Sequence, residues 1–243
     1  MRLTADLVSR AGTRFNPARE WELELRGLRI PVLENLGATK DQFDCLDLCD
    51  NEIQKLENLP VLRRLTTLLL ANNRISRVEA GLGEQLPSLR TLVLTNNRIA
   101  ALSTIDALAG FTKLENLVLL QNAVQRQEHY RLYVIHKLPS LKSLDFARVR
   151  LRERKAAAKL FKSSTGKAIE DAVQKASARA KEATGGGGGV EYTEEQLEKI
   201  ARAVEEAATP EEVDRIERLV SKGEFFSTGA AAGGAGGADA DME

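Results

Sequence analysis

The chain has 243 residues, 43% of them hydrophobic, and its 35 Lys/Arg balance 35 Asp/Glu to a formal net charge of zero. That length allows one or two domains with a sizeable buried core, and the neutral balance excludes bulk charge as the means of recruiting a partner. No run approaches the roughly 18 consecutive apolar residues of a membrane span, and the opening Met1-Arg2-Leu3-Thr4-Ala5-Asp6 carries no apolar core of signal-peptide length, so no membrane association is expected.

In chain order, residues 1–20 read as an N-terminal helical cap. Thr4 is a candidate N-cap, and Leu3, Leu7, Val8 and Ala11 give Thr4 to Phe15 the pattern of a short amphipathic helix. Residues 21–146 are dominated by a repeat. The phrase L-x-L-x-x-N-x-[I/V] occurs at Leu46, Leu48, Asn51 and Ile53, and again at Leu68, Leu70, Asn73 and Ile75. It returns at Leu92, Leu94, Asn97 and Ile99, then at Leu117, Leu119, Asn122 and Val124. Successive asparagines are 22, 24 and 25 residues apart. A degenerate copy precedes these (Leu23, Leu25, Leu28, Ile30) and a closing copy follows (Leu144, Phe146, Val149).

This periodicity predicts an α/β leucine-rich-repeat solenoid. The alternating leucines point inward from a short strand, and each asparagine bonds backbone groups of the bend that would otherwise be buried unpaired. Stacked copies make a parallel sheet on the concave side. The short period leaves room only for 3₁₀ turns or one-to-two-turn helices on the convex side. A single repeat cannot bury its own face, so caps are required. The segment Glu128 to Lys137, with Tyr130, Tyr133 and Val134, reads as the C-terminal cap. Cys45 and Cys49 fall about 13 Å apart along one strand, too far for a disulfide, and no further cysteine completes a zinc site; they read as free thiols.

After Ala147 the composition changes. Residues 148–182 hold 11 Lys/Arg against 4 Asp/Glu, a net of +7, within a basic helical tail spanning 147–184. Residues 185–189 are all glycine, a linker. Residues 190–226 hold 5 Lys/Arg against 11 Asp/Glu, a net of −6, and read as an acidic pair of helices. The Gly/Ala-rich stretch 227–243 is expected to be disordered.

The residue between the two leucines of each copy faces the hollow. Taken in order these are Glu24, Asp47, Leu69, Val93, Val118 and Asp145: an apolar stripe with acids at both ends. The row before it includes Thr67, Thr91 and Asn116, and the row after it includes Leu120. Six strands span roughly 24 Å, the length of a helix of about 16 residues. The hollow is therefore expected to hold an amphipathic partner helix whose basic residues meet the terminal acids, with Leu69, Val93, Val118 and Leu120 as its apolar contacts. A different surface, the basic run Arg148, Arg150, Arg152, Arg154 and Lys155 together with Arg19, is a candidate for phosphate contacts. The same run also suits a solvated helix or a nuclear-import signal, and no aromatic stacking platform is evident beside it.

Thr165-Gly166-Lys167-Ala168 lacks the first glycine and the closing Ser/Thr of a phosphate loop. His129 and His136 stand seven apart without a carboxylate pattern and suit cap or surface roles. No catalytic spacing is evident, so neither enzymatic activity nor a cofactor, metal or small-molecule substrate is expected.

Several stretches resemble a known family: Leu33-Glu34-Asn35-Leu36-Gly37-Ala38-Thr39, Asp41-Gln42-Phe43-Asp44, Leu62-Arg63-Arg64-Leu65, His129-Tyr130-Arg131-Leu132-Tyr133-Val134-Ile135 and Leu144-Asp145-Phe146. Together they are similar to the A′ subunits of the U2 small nuclear ribonucleoprotein, from about residue 1 to 165. The resemblance implies a nuclear, non-catalytic scaffold in pre-mRNA splicing, working among other spliceosomal proteins. It also implies that the concave face holds a helix of an RRM protein, the B″ subunit, and that the two together bind a U2 snRNA stem-loop. The residues alone also fit a regulatory subunit that docks on an enzyme such as a protein phosphatase.

Overall fold

The computed structural model describes residues 2–183. The glycine linker at 185–189, the acidic helical pair at 190–226 and the Gly/Ala tail lie outside the described residues. The repeats and caps belong to one compact unit ending at Ala176.

Helix α1 (Ala5–Arg10) opens the chain, and the Thr4 side-chain oxygen caps it by accepting the Leu7 N–H at 3.2 Å. The sequence reading carries this helix to Phe15; the structure ends it at Ala11, and Gly12–Phe15 instead form strand β1, antiparallel to β2 (Trp21–Glu24). Gly12 disfavours continuation of the helix, and β1 pairs the otherwise open edge of β2. Phe15 also packs against Trp21, their ring centroids 4.6 Å apart.

The repeats then place β3 (Cys45–Asp47), β4 (Lys55–Leu56), β5 (Thr67–Leu69), β6 (Arg77–Val78), α2 (Leu82–Gln85), β7 (Thr91–Val93), α3 (Ser103–Leu108) and β8 (Asn116–Val118). Beyond them come α4 (Tyr130–Lys137), β9 (Ser143–Leu144) and β10 (Ala147–Arg148). The main sheet has eight strands in the order β1-β2-β3-β5-β7-β8-β9-β10. Strands β2 to β9 of that order run parallel, and β1 and β10 close the two edges antiparallel. The register sets Leu23, Leu46, Leu68, Leu92, Leu117 and Leu144 side by side, all buried. The pair β4-β6 forms a small second sheet.

Each repeat asparagine is buried and ties two repeats together. The Asn73 Oδ1 accepts the Ile53 N–H at 3.1 Å, and its Nδ2 donates to the carbonyls of Leu48 and Leu70 at 3.0 and 3.1 Å. Asn97 makes the same bonds one repeat on, from Ile75 and to Leu70 and Leu94. Asn122 repeats them with Ile99, Leu94 and Leu119. On the convex side the chain forms 3₁₀ turns at Leu36–Thr39 and Ala123–Arg126 and the short helices α2 and α3. Gly83 of α2 lies so close to the next repeat that a Cβ there would stand 2.1 Å from the Gly110 carbonyl oxygen.

The closing copy departs from the expected pattern. Leu144 is buried, but Asp145 and Phe146 leave the strand as the two-residue turn of the β9-β10 hairpin, both with positive φ (52° and 61°). Phe146 is 76% exposed instead of pointing inward. Past the hairpin, α5 (Leu151–Lys162) lies against α4 and buries Ala157 and Phe161. The Phe161 ring meets Tyr133 edge-on at 5.7 Å and stacks on His136 at 4.5 Å, which gives His136 a packing role. Helix α6 (Ser164–Ala183) follows after Ser163. A Cβ at Gly166 would stand 2.2 Å from the Leu160 carbonyl oxygen, so this glycine serves the α5-α6 junction.

Candidate partner-binding face

The alternation of a strand sends Cys45, Asp47 and Cys49 to the same side, and the parallel register repeats that side from β2 to β8. Leu69 and Val93 stand half-buried at its centre, Val118 beside them is 5% exposed, and Leu120 is again half-buried. Thr91 accepts a hydrogen bond from the Asn116 side chain at 3.2 Å, leaving a small polar border on one side of the stripe. Thr67 is buried, its hydroxyl donating to Glu20 at 2.7 Å.

The two ends of the row differ in a way the sequence reading misses. At the β1-β2 end, Glu20, Glu22, Glu24 and Asp47 gather. Glu22 is only 3% exposed and accepts from Arg14 at 2.8 Å, and the Arg14 guanidinium also reaches Glu24 at 3.8 Å. Asp47 is 4% exposed and accepts the Cys49 N–H at 2.9 Å. Burial, together with neighbouring carboxylates, pushes both thiols up, Cys49 to about 12 and Cys45 further. Both remain free and protonated. Glu20 and the pairing of Arg14 with these acids escape notice in the sequence because only the unexpected strand β1 brings Arg14 and the turn to this face.

At the other end, Asp145 is not a free acid of the hollow. Its Oδ1 accepts the Leu119 N–H at 2.7 Å, and its Oδ2 accepts from the Tyr130 hydroxyl at 3.0 Å and the Gln125 amide at 3.1 Å. The turn at Asp145-Phe146 rotates this side chain onto the last repeat, where it accepts the Leu119 N–H in place of the next-strand carbonyl that takes the matching N–H of Leu48, Leu70 and Leu94 in the earlier repeats. The concave face is therefore acidic at one end only. Near the other end lies a depression of about 690 Å³, lined by Thr95, Leu120, Gln121, Ala123, Gln125 and Arg126 among others.

The basic candidates do not form one patch. Arg19 sits in the β1-β2 turn with positive φ (62°), at the edge of the sheet opposite β9-β10. Arg154 is taken up by structure, its guanidinium donating to the Pro139 carbonyl at 2.8 Å and to the Leu141 carbonyl. Arg131, unremarked among the sequence candidates, bonds Glu153 at 2.7 Å and the Leu144 carbonyl at 3.2 Å. Arg148, Arg150 and Arg152 stay exposed around a cleft of about 440 Å³ that also borders Arg131 and Glu153, and Lys155 is exposed beyond it.

A family model described as leucine-rich repeat matches residues 1–174. The chain is 48% identical over 231 residues to the U2 small nuclear ribonucleoprotein A′ of Arabidopsis thaliana, covering 92% of each. It is 42% identical to the probable U2 small nuclear ribonucleoprotein A′ of Caenorhabditis elegans, over 94% of this chain and 93% of that one. It is 41% identical to the human U2 small nuclear ribonucleoprotein A′, over 93% and 89%. Among solved structures, a chain of the Drosophila melanogaster SNF/U2A′ complex matches with a TM-score of 0.69 and 47% identity, covering 71% of this chain and 99% of that one. The chain belongs to the U2 small nuclear ribonucleoprotein A′ family of leucine-rich-repeat proteins.

Proposed function

We propose that this protein is a non-catalytic, nuclear scaffold subunit of the U2 small nuclear ribonucleoprotein in pre-mRNA splicing. Its concave face holds one helix of an RRM protein, the B″ subunit, and so assists that protein in binding a U2 snRNA stem-loop. The observation that carries this reading is the row Leu69, Val93 and Val118, aligned across adjacent parallel strands, with Leu120 two residues beyond Val118; Leu69, Val93 and Leu120 are partly open to solvent. The Drosophila relative solved as an SNF/U2A′ complex supports it. A helix laid over the stripe covers apolar area that water otherwise meets. The acidic end, where Glu24 is exposed and Glu20 partly so beside the buried Glu22 and Asp47, favours basic side chains at one end of that helix and so fixes its direction. The exposed Arg148, Arg150, Arg152 and Lys155 contribute phosphate contacts at the rim.

The test is calorimetric titration of the RRM partner into the wild-type chain and into a Leu69→Asp/Val93→Asp variant. Both side chains are partly exposed, and native circular dichroism of the variant is the check that the fold survives the change. Burying two carboxylates in the interface weakens binding at least about thirtyfold. Unchanged affinity in a variant with native circular dichroism refutes the concave face as the docking site.

A further inference from the structure

The turn between β9 and β10 carries a feature that neither core packing nor capping accounts for. Asp145 and Phe146 form a two-residue hairpin turn with φ of 52° and 61°. Turns of this kind favour Asn-Gly, because a Cβ in the left-handed region is strained, most of all on a bulky residue. Asp145 earns its place through three hydrogen bonds to the last repeat. Phe146 has no such role: it is 76% exposed, among the largest apolar exposures of the described residues. A large side chain held at a strained position and presented to water points to a contact made outside the chain.

The surroundings indicate what that contact is. The next residue, Ala147, borders the cleft whose rim carries the exposed guanidinium groups of Arg148, Arg150 and Arg152. Leu151, the first residue of α5, adds a second apolar side chain at this corner, 69% exposed. An acidic or purely apolar protein surface would satisfy only one of these two components. A nucleotide satisfies both, with an anionic phosphate for the arginines and a flat base for the ring. Paired bases keep their faces inside the helix, so the ring selects unpaired ones.

We infer that Phe146, beside Arg148, Arg150 and Arg152, is a stacking site for an unpaired nucleotide of bound RNA. The inference rests on the reading of the basic rim as an RNA contact and adds to it a preference for single-stranded over paired segments. The charges supply attraction that any RNA shares; the ring supplies discrimination.

Fluorescence anisotropy at low salt would test it, with the full-length protein and two labelled probes: a single-stranded RNA of about 12 nucleotides and the duplex of the same sequence. Phe146→Ala is expected to lose roughly tenfold in affinity for the single strand, the scale of one base–aromatic stack, with the duplex unchanged. Phe146→Trp should keep the preference, and its added fluorescence should quench on binding. Phe146→Gly should weaken single-strand binding like the alanine variant while raising the melting temperature, because glycine relieves the strain at positive φ. A triple Arg148→Glu/Arg150→Glu/Arg152→Glu variant should lose both probes and flatten the salt dependence. If the triple variant fails to bind but Phe146→Ala matches wild type on both probes, the rim contacts RNA and the stacking site is refuted. If the triple variant also binds as wild type does, the rim reading falls and the stacking site with it. If Phe146→Ala weakens capture of the RRM partner and leaves both RNA affinities alone, the ring belongs to the protein interface and the inference is overturned.

Discussion

Adjacent asparagines in this chain do opposite kinds of work, and register decides which. In Asn96-Asn97, the second side chain is buried and bonds Ile75 N–H at 2.9 Å and the carbonyls of Leu70 and Leu94 at 2.9 and 3.0 Å. The first is exposed, sits at φ 53° and bonds only the Asn72 amide at 3.0 Å. Asn97→Ala strands several buried backbone groups and should cost about 2–4 kcal/mol. Asn96→Gly keeps the left-handed backbone strain-free and should change stability by about 0.5 kcal/mol or less. Urea denaturation of both variants separates the roles, and equal midpoints would contradict the assignment. At this scale the sequence is highly legible: the repeat phrase identifies the buried asparagine and the inward leucines. What it does not reveal is that Asp145, placed in the concave row by counting, turns back to accept the Leu119 N–H, which in the earlier repeats goes to the carbonyl of the next strand. Counting assumes the strand continues, and the positive φ at Asp145 ends it.

Elements made by the repeat are readable, and those that close it are less so. The parallel strands follow from strict spacing of leucines. Strand β1 is four residues long with every side chain exposed, so it carries no apolar alternation to detect. The C-terminal cap depends on pairs distant in sequence, above all Arg131 with Glu153. The Arg131 guanidinium, through its hydrogen bond, holds the Glu153 carboxyl below the usual carboxylate range. A carboxyl depressed in the folded state contributes stability that is present above its unfolded value and is lost as pH falls through its folded value. The contact between α5 and α4 should therefore loosen on acidification below the ordinary carboxylate range. Glu153→Gln should be less stable at neutral pH and flatter in that acidic window, as read by hydrogen exchange of α5 amides. An unchanged acid dependence would show that other carboxyls govern the cap.

For the repeat unit as a whole, the two ends are unequal guards of one core. The β1 hairpin pairs a strand edge and lays Arg14 across the acidic end, whereas α4 and α5 cover apolar residues of the last repeat. Ending the chain after Arg150 removes Phe161 and Ala157 from the core and Glu153 and Arg154 from their partners. Such a truncation should lower the melting temperature by roughly 10 °C, on the basis of about 3 kcal/mol lost from a domain of this size. A native melting temperature would show that α5 is dispensable to the solenoid. The sequence marks this region as a basic helical tail but not as part of the core, because Ala157 and Phe161 are inconspicuous among lysines until α4 is known to lie beneath them.

The asparagine bonds also have a direction in time. Every one of them reaches back: Asn51 to Leu25 and Ile30, Asn73 to Leu48 and Ile53, Asn97 to Leu70 and Ile75, and Asn122 to Leu94 and Ile99. During synthesis, each coil leaving the ribosome thus finds the carbonyls and the N–H group that its asparagine bonds already displayed by the coil before it, and none of these four asparagines waits for residues still to be translated. The growing edge is a template from the second coil onward, and the Asp145 turn is the point at which templating stops.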